Sequence, residues 1–141
     1  MEDENIKDYF GVDNRYVIEL QPDDFNDKAS WFLKPRGSLK SPVNGMVLFY
    51  VPWCGHCSRS KMPFLEAAKA SGFCDFYAFN CEKHKNHVNK IRADMPNLIA
   101  GYPTIIIYKG GQPGEAYADE RTKEAFIASC MKICSDGKCK N

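Results

Sequence analysis

Phe49-Tyr50-Val51-Pro52-Trp53-Cys54-Gly55-His56-Cys57 decides how this chain is read. An unbroken apolar run, Met46 to Val51, leads into it. Such a run suits a central strand covered on both faces. After Cys57 the spacing of Met62, Leu65, Ala68 and Lys69 predicts a helix that ends near Ser71-Gly72 and is kinked at Pro63. Two cysteines separated by two residues therefore span a strand-to-helix turn, with Cys57 in the first helical turn. A pair at this spacing can close and reopen a disulfide and so carry two electrons. No cofactor is expected, because the dithiol is itself the carrier.

Composition narrows the alternatives. The 141 residues fit one domain, and a chain of this size buries roughly 70% of the surface that it exposes when unfolded. Disulfides are not needed for such a core. Lys and Arg number 19 against 18 Asp and Glu, for a formal charge of +1, so no nucleic-acid or anionic-membrane partner is expected. Met1-Glu2-Asp3-Glu4 lacks the basic and then apolar pattern of a secretory leader. The longest apolar run is too short to span a bilayer. Read as it stands, the chain is expected in a cytoplasm.

Strands and helices alternate along the sequence. Tyr16 to Leu20 reads as a strand, Pro22-Asp23-Asp24-Phe25 as the start of a helix toward Trp31-Phe32-Leu33, and Lys34 to Gly45 as a loop. Phe76 to Phe79 is the next strand, Lys85 to Arg92 a polar helix, and Thr104 to Tyr108 a β-branched strand. Lys109-Gly110-Gly111-Gln112 is a hairpin turn returning Glu115-Ala116-Tyr117 antiparallel. Ala125, Phe126, Ser129, Cys130 and Ile133 mark the inner face of a last helix. The expected division is a flexible segment over residues 1–14, a domain over 15–134 and a flexible tail over 135–141.

With Gly101-Tyr102-Pro103-Thr104, the opening stretch resembles the two signatures of the thioredoxin-fold catalytic domain of the protein disulfide isomerase type. The resemblance covers roughly Tyr16 to Ile133. It implies an α/β thioredoxin fold, a mixed central sheet flanked by helices, with a cis peptide before Pro103 beside the cysteines. Trp53, Tyr102 and Pro103 would then line the surface where an extended substrate peptide pairs with backbone. Arg121, four residues after Tyr117, matches the family's mobile arginine near the resolving thiol. The family's buried carboxylate, six residues before the first active cysteine, is replaced by Leu48. A leucine accepts no proton, so deprotonation of Cys57 must use water, His56 or another group.

Helix-end N–H groups favour a thiolate at Cys54, which makes it the nucleophile and Cys57 the resolving thiol. Gly55 is expected to relieve crowding in the turn, and His56 to place positive charge beside the thiolate. About 90 mV separates thioredoxin-like from isomerase-like potentials, or about 4 kcal/mol. A helix end supplies only about 0.3–2 kcal/mol. His56 is the added term, and it predicts an oxidising couple.

The expected function is thiol-disulfide exchange that forms or isomerises disulfides in protein clients. Its partners would be protein thiols or disulfides, with glutathione or a separate redox protein regenerating the pair. A reductase, or a peptide-binding chaperone with secondary redox activity, are the alternatives. An oxidising motif without a visible route to an oxidising place has two explanations. Either the chain is an excised domain from the endoplasmic reticulum lumen, or it acts on cytoplasmic disulfides as a virus-encoded enzyme would.

A zinc half-site completed by Cys81 and His84 is the other use of CxxC. It gives no role to Trp53, Pro63 or Pro103. His84 and His87 are expected as solvated helix residues, and Cys74 and Cys81 as buried thiols about 23 Å apart across a strand. Cys130 and Cys134 share a helix face, with β-carbons about 5–6 Å apart, too far to pair while the helix is intact. Cys134 with Cys139 closing a loop, Cys139 bonding another chain, and simple free thiols all remain open.

Overall fold

The computed structural model describes residues 6–11, 14–35 and 42–135. Five strands form one sheet in the order β1-β3-β2-β4-β5: β1 Ile18–Glu19, β2 Gly45–Tyr50, β3 Asp75–Asn80, β4 Thr104–Lys109 and β5 Gln112–Ala116. β3 runs parallel to both β1 and β2, whereas β4 is antiparallel to β2 and to β5. The sheet is therefore mixed. Helices α1 Gly55–Ala70, α2 Lys85–Asp94 and α3 Lys123–Ser135 flank it.

Every residue of β2 and β3 is buried, as expected of strands covered on both faces. Side-chain alternation divides β2 between two cores. Met46, Leu48 and Tyr50 join Phe64 and Ala67 of α1 and Phe126 of α3, while Val47 and Phe49, with Val51 just past the strand, join Val88 and Ile91 of α2. Phe64 and Phe126 meet edge to face at 5.3 Å and lock α1 to α3. Gly45 permits a close backbone approach to β3, since a Cβ there would lie 1.8 Å from the Asp75 carbonyl oxygen.

Several local expectations are corrected. The helix from Pro22 is only a single 3-10 turn, Pro22–Asp24; Phe25 then bridges to Leu33 in extended backbone, because both side chains are drawn into the α2-side core. The strand proposed from Tyr16 to Leu20 shrinks to two residues. The buried face of α1 is Cys57, Ser60, Phe64, Ala67 and Ala68, leaving Met62 at 52% exposure. Pro63 lies inside the continuous α1. His84 and His87 are buried, at 3% and 8% exposure, packed on Phe79, and His87 Nε2 lies 2.9 Å from the Ser30 carbonyl oxygen. Cys81 is a buried thiol, but Cys74 is bonded to Cys130. Pairing between Cys134 and Cys139 lies outside the described residues, as does most of the proposed tail.

The segment assigned to a flexible N-terminus docks where it is described. Phe10 is 2% exposed, and Tyr9 stacks on Tyr50 with ring centroids 4.1 Å apart. Asn80 donates hydrogen bonds to the Lys7 carbonyl and to Asp8, both at 3.1 Å. Sequence periodicity misses this contact because it is made by isolated side chains rather than by a regular element. Among the described residues, no helix is long and apolar enough to cross a membrane.

Candidate active site

β2 ends at Tyr50 and α1 begins at Gly55, so Cys54 is the helix N-cap and Cys57 lies in the first turn. The Cys57 N–H donates to Cys54 Sγ at 3.4 Å. This satisfies one of the donors that a helix start leaves unpaired and favours negative charge on the sulfur. Cys54 is part-exposed, whereas Cys57 is fully buried.

That difference in burial splits the two thiols. Partial burial opposes ionisation of Cys54. Hydrogen bonding from the Cys57 thiol and from the Cys57 and His56 backbone, with the Arg59 charge, outweighs it and holds Cys54 below the usual thiol range. Burial pushes Cys57 up, reinforced by its hydrogen bond to Cys54, while Arg121 acts weakly in the opposite direction. One sulfur is prepared as a thiolate and the other as a thiol.

The cation that helps Cys54 is Arg59, which the sequence reading missed. It lies three residues after His56 on α1, the spacing at which helical side chains meet. Its guanidinium has only donors, so it donates to His56 Nδ1. Arg59 thus brings a permanent positive charge to the turn beside His56. Gly55 is not required for space, because a Cβ there would meet only an Arg59 nitrogen at 3.8 Å. His56, Arg59, Ser60 and the segment Tyr117 to Thr122, including Arg121, line one shallow groove.

Across from the helix, the Tyr102–Pro103 peptide is cis, and Cys54 Sγ donates to the Tyr102 carbonyl at 3.6 Å. The Tyr102 ring turns inward, where Arg92 Nη2 donates to its hydroxyl at 3.1 Å and Arg92 Nε donates to the Ile99 carbonyl at 3.3 Å. Tyr102 therefore faces Cys54 with backbone instead of its ring. Pro103 is buried, and Trp53 stands 65% exposed beside Cys54.

Two further residues escaped the sequence reading. The Tyr9 hydroxyl donates toward the Val51 and Pro52 carbonyls, at 3.2 and 3.1 Å, and lies 3.3 Å from Ser58 Oγ. It fastens the turn before Cys54 to the start of α1. Glu19 shares a sheet row with Leu48 through Ala78. The chain that lacks a carboxylate at 48 thus has a mostly buried one two strands away, bonded to the hydroxyl of Tyr50 at 2.6 Å.

The thioredoxin family model matches residues 37–132. The chain belongs to the thioredoxin family. This thioredoxin domain is 30% identical over 145 residues to protein disulfide-isomerase of Saccharomyces cerevisiae, covering 94% of this chain and 27% of that one. It is 33% identical over 114 residues to protein disulfide-isomerase A6 of Mus musculus, covering 73% of this chain and 22% of the relative. The chain thus spans about a quarter of the length of these relatives. Among solved structures, the J-Trx1 fragment of ERdj5 superposes with a TM-score of 0.62 at 25% identity, over 85% of this chain and 52% of that one. The domain is a thioredoxin fold of the protein disulfide isomerase type.

Proposed function

We propose that this thioredoxin domain is a thiol-disulfide oxidoreductase that forms or isomerises disulfides in protein clients. The observation that carries the reading is the asymmetry of the pair: a part-exposed Cys54 with a lowered thiol and a buried Cys57 with a raised one. In the reduced domain, the Cys54 thiolate attacks a client disulfide, forms a mixed disulfide and releases one client sulfur as thiolate. Cys57 then loses its proton, attacks Cys54 Sγ and frees the second client sulfur. Run backwards, the same steps place a disulfide in a client dithiol and leave the domain reduced.

The Tyr102 carbonyl beside Cys54 is a backbone acceptor for an extended client segment, and exposed Trp53 offers it an apolar surface. Arg121, in the groove beside His56, stabilises the Cys57 thiolate as it forms. Glutathione or a separate redox protein regenerates the pair. An intramolecular disulfide between Cys74 and Cys130 favours an oxidising compartment such as the endoplasmic reticulum lumen.

Refolding of reduced, unfolded ribonuclease tests the reading. The unsubstituted chain should restore activity in a glutathione buffer, Cys57→Ser should accumulate a mixed disulfide with the client, and Cys54→Ser should be inactive. Equal refolding by Cys54→Ser would sink the proposal in favour of a binding module. Direction is read from the reduction potential. His56→Pro should make it more negative by tens of millivolts, and a starting value near about −270 mV would favour a reductase.

A further inference from the structure

At the other end of the sheet from Cys54, three sulfurs converge. Cys74 lies in the turn between α1 and β3, directly before Asp75, and Cys130 and Cys134 lie one turn apart on α3. Their sulfurs are all within 4.8 Å of one another. β2 and β3 run parallel with Gly45 opposite Asp75, so a strand of about 20 Å separates this cluster from the active pair. The two sites are physically independent.

Burial gives the three sulfurs different access. Cys74 and Cys130 form a disulfide and are 5% and 0% exposed, so an external thiol has no direct approach to that bond. Cys134, beside the Phe73 carbonyl at 3.7 Å, is part-exposed and is itself disulfide-linked. Helix geometry then restricts which bonds can form. Residues four apart keep their β-carbons about 5–6 Å apart, beyond the usual disulfide span of about 3.5–4.5 Å. Cys130 and Cys134 are therefore alternative partners of Cys74 and not of each other.

We propose that Cys74, Cys130 and Cys134 form a second thiol-disulfide exchange site, in which Cys134 is the entry sulfur through which an external thiol such as glutathione reaches the Cys74–Cys130 bond. Two glutathiones first reduce the disulfide that Cys134 holds, leaving Cys134 and the sulfur bonded to it as thiols, and depart as glutathione disulfide. The Cys134 thiolate then attacks Cys74 Sγ: the Cys74–Cys134 bond forms, the Cys74–Cys130 bond breaks, and Cys130 leaves as a thiolate that takes up a proton. This transfer is electron-neutral, and it moves the disulfide from a sealed position to a reachable one. Two further glutathiones reduce the new bond, yielding a second glutathione disulfide and leaving all three cluster cysteines as thiols. Oxidation by glutathione disulfide follows the reverse path.

The test uses the full chain carrying Cys54→Ser and Cys57→Ser, so that the active pair cannot contribute. The oxidised protein is mixed with reduced glutathione, acid-quenched over time, alkylated, digested without reductant and examined by mass spectrometry. A Cys74–Cys134 peptide should appear before Cys130 becomes fully alkylated. Adding Cys134→Ala should slow the opening of Cys74–Cys130 by about tenfold or more, whereas Cys81→Ser should leave it unchanged. Absence of the Cys74–Cys134 peptide at every time, or equal opening rates with and without Cys134, would overturn the proposal. So would a reduced cluster that retains one zinc ion per chain and gives no exchange product. The peptide is sought with all three cluster cysteines present, so that arm does not depend on the folding of the Cys134 variant.

Discussion

The Tyr50 hydroxyl donates a 2.6 Å hydrogen bond to Glu19 Oε2 and at the same time accepts the Tyr9 N–H at 2.8 Å. The Phe10 N–H adds a second bond to the same carboxylate oxygen at 3.1 Å, while Oε1 is buried without a hydrogen-bond partner among the described residues. One carboxyl therefore links β1, β2 and the N-terminal segment beneath the active-site turn.

Burial, helped by the nearby Asp8, lifts the Glu19 carboxyl from 4.5 to about 7, against the lowering effect of Tyr50, the Phe10 N–H and Lys83. The folded chain thus holds this proton more tightly than the unfolded one. The stabilisation is fully present below about pH 4.5 and is lost as pH rises through about 7. At about 1.36 kcal/mol per pKa unit, the swing is on the order of 3 kcal/mol. Glu19→Gln should flatten the stability profile between these pH values and raise stability at pH 8, measured by urea unfolding. An unchanged profile would show that Glu19 does not carry this linkage.

Arg59→Ala should raise the Cys54 pKa, because it removes a cation whose charge favours the thiolate. Alkylation of Cys54 by iodoacetamide at pH 7 should slow roughly two- to fivefold. Arg59→Lys should retain most of the rate, and 1 M salt should shrink the difference. A pH-rate profile that does not move with Arg59→Ala would return the role to His56.

Arg92→Ala should loosen the loop that presents the Tyr102 carbonyl, since Arg92 ties both the Ile99 carbonyl and the Tyr102 hydroxyl. The expected result is a KM for unfolded client raised about threefold or more, with iodoacetamide reactivity of Cys54 nearly unchanged. Arg92→Lys should restore part of the loss. Equal effects on both measurements would point to general unfolding.

Gly45→Ala should destabilise the domain by about 3–5 kcal/mol or prevent folding, because its Cβ would collide with the Asp75 backbone at 1.8 Å. Gly72→Ala, where nothing lies within 4 Å of the added carbon, is the control. Thermal unfolding of the two variants compares them directly, and a Gly45→Ala chain as stable as the control would refute the steric argument.

The turn that carries the cysteine pair, the central strand and the hairpin at Gly110-Gly111 are legible because each rests on local rules: a strand-to-helix change of pattern, a continuous apolar run, and a turn whose two glycines have φ of 61° and 79°. The helix expected after Pro22 failed because the draw of Phe25 and Leu33 into the core outweighs a good helix start. The spacing of Met62, Leu65, Ala68 and Lys69 marks α1 as a helix but not its buried face, where Phe64 packs and Met62 stays exposed.

By itself the sequence determined the family, the order of the elements and the placement of Cys54 and Cys57 at a strand-to-helix turn, all of which follow from residue type and near-neighbour spacing. Only the tertiary structure decided that Arg59 stands against His56, that Tyr102 faces the sulfur through its carbonyl, and that Glu19 lies in the row of Leu48. It alone brought Cys74 to Cys130 across 56 residues. These relationships depend on which side chains share a face after folding, and burial then sets which sulfur ionises and which solvent can reach.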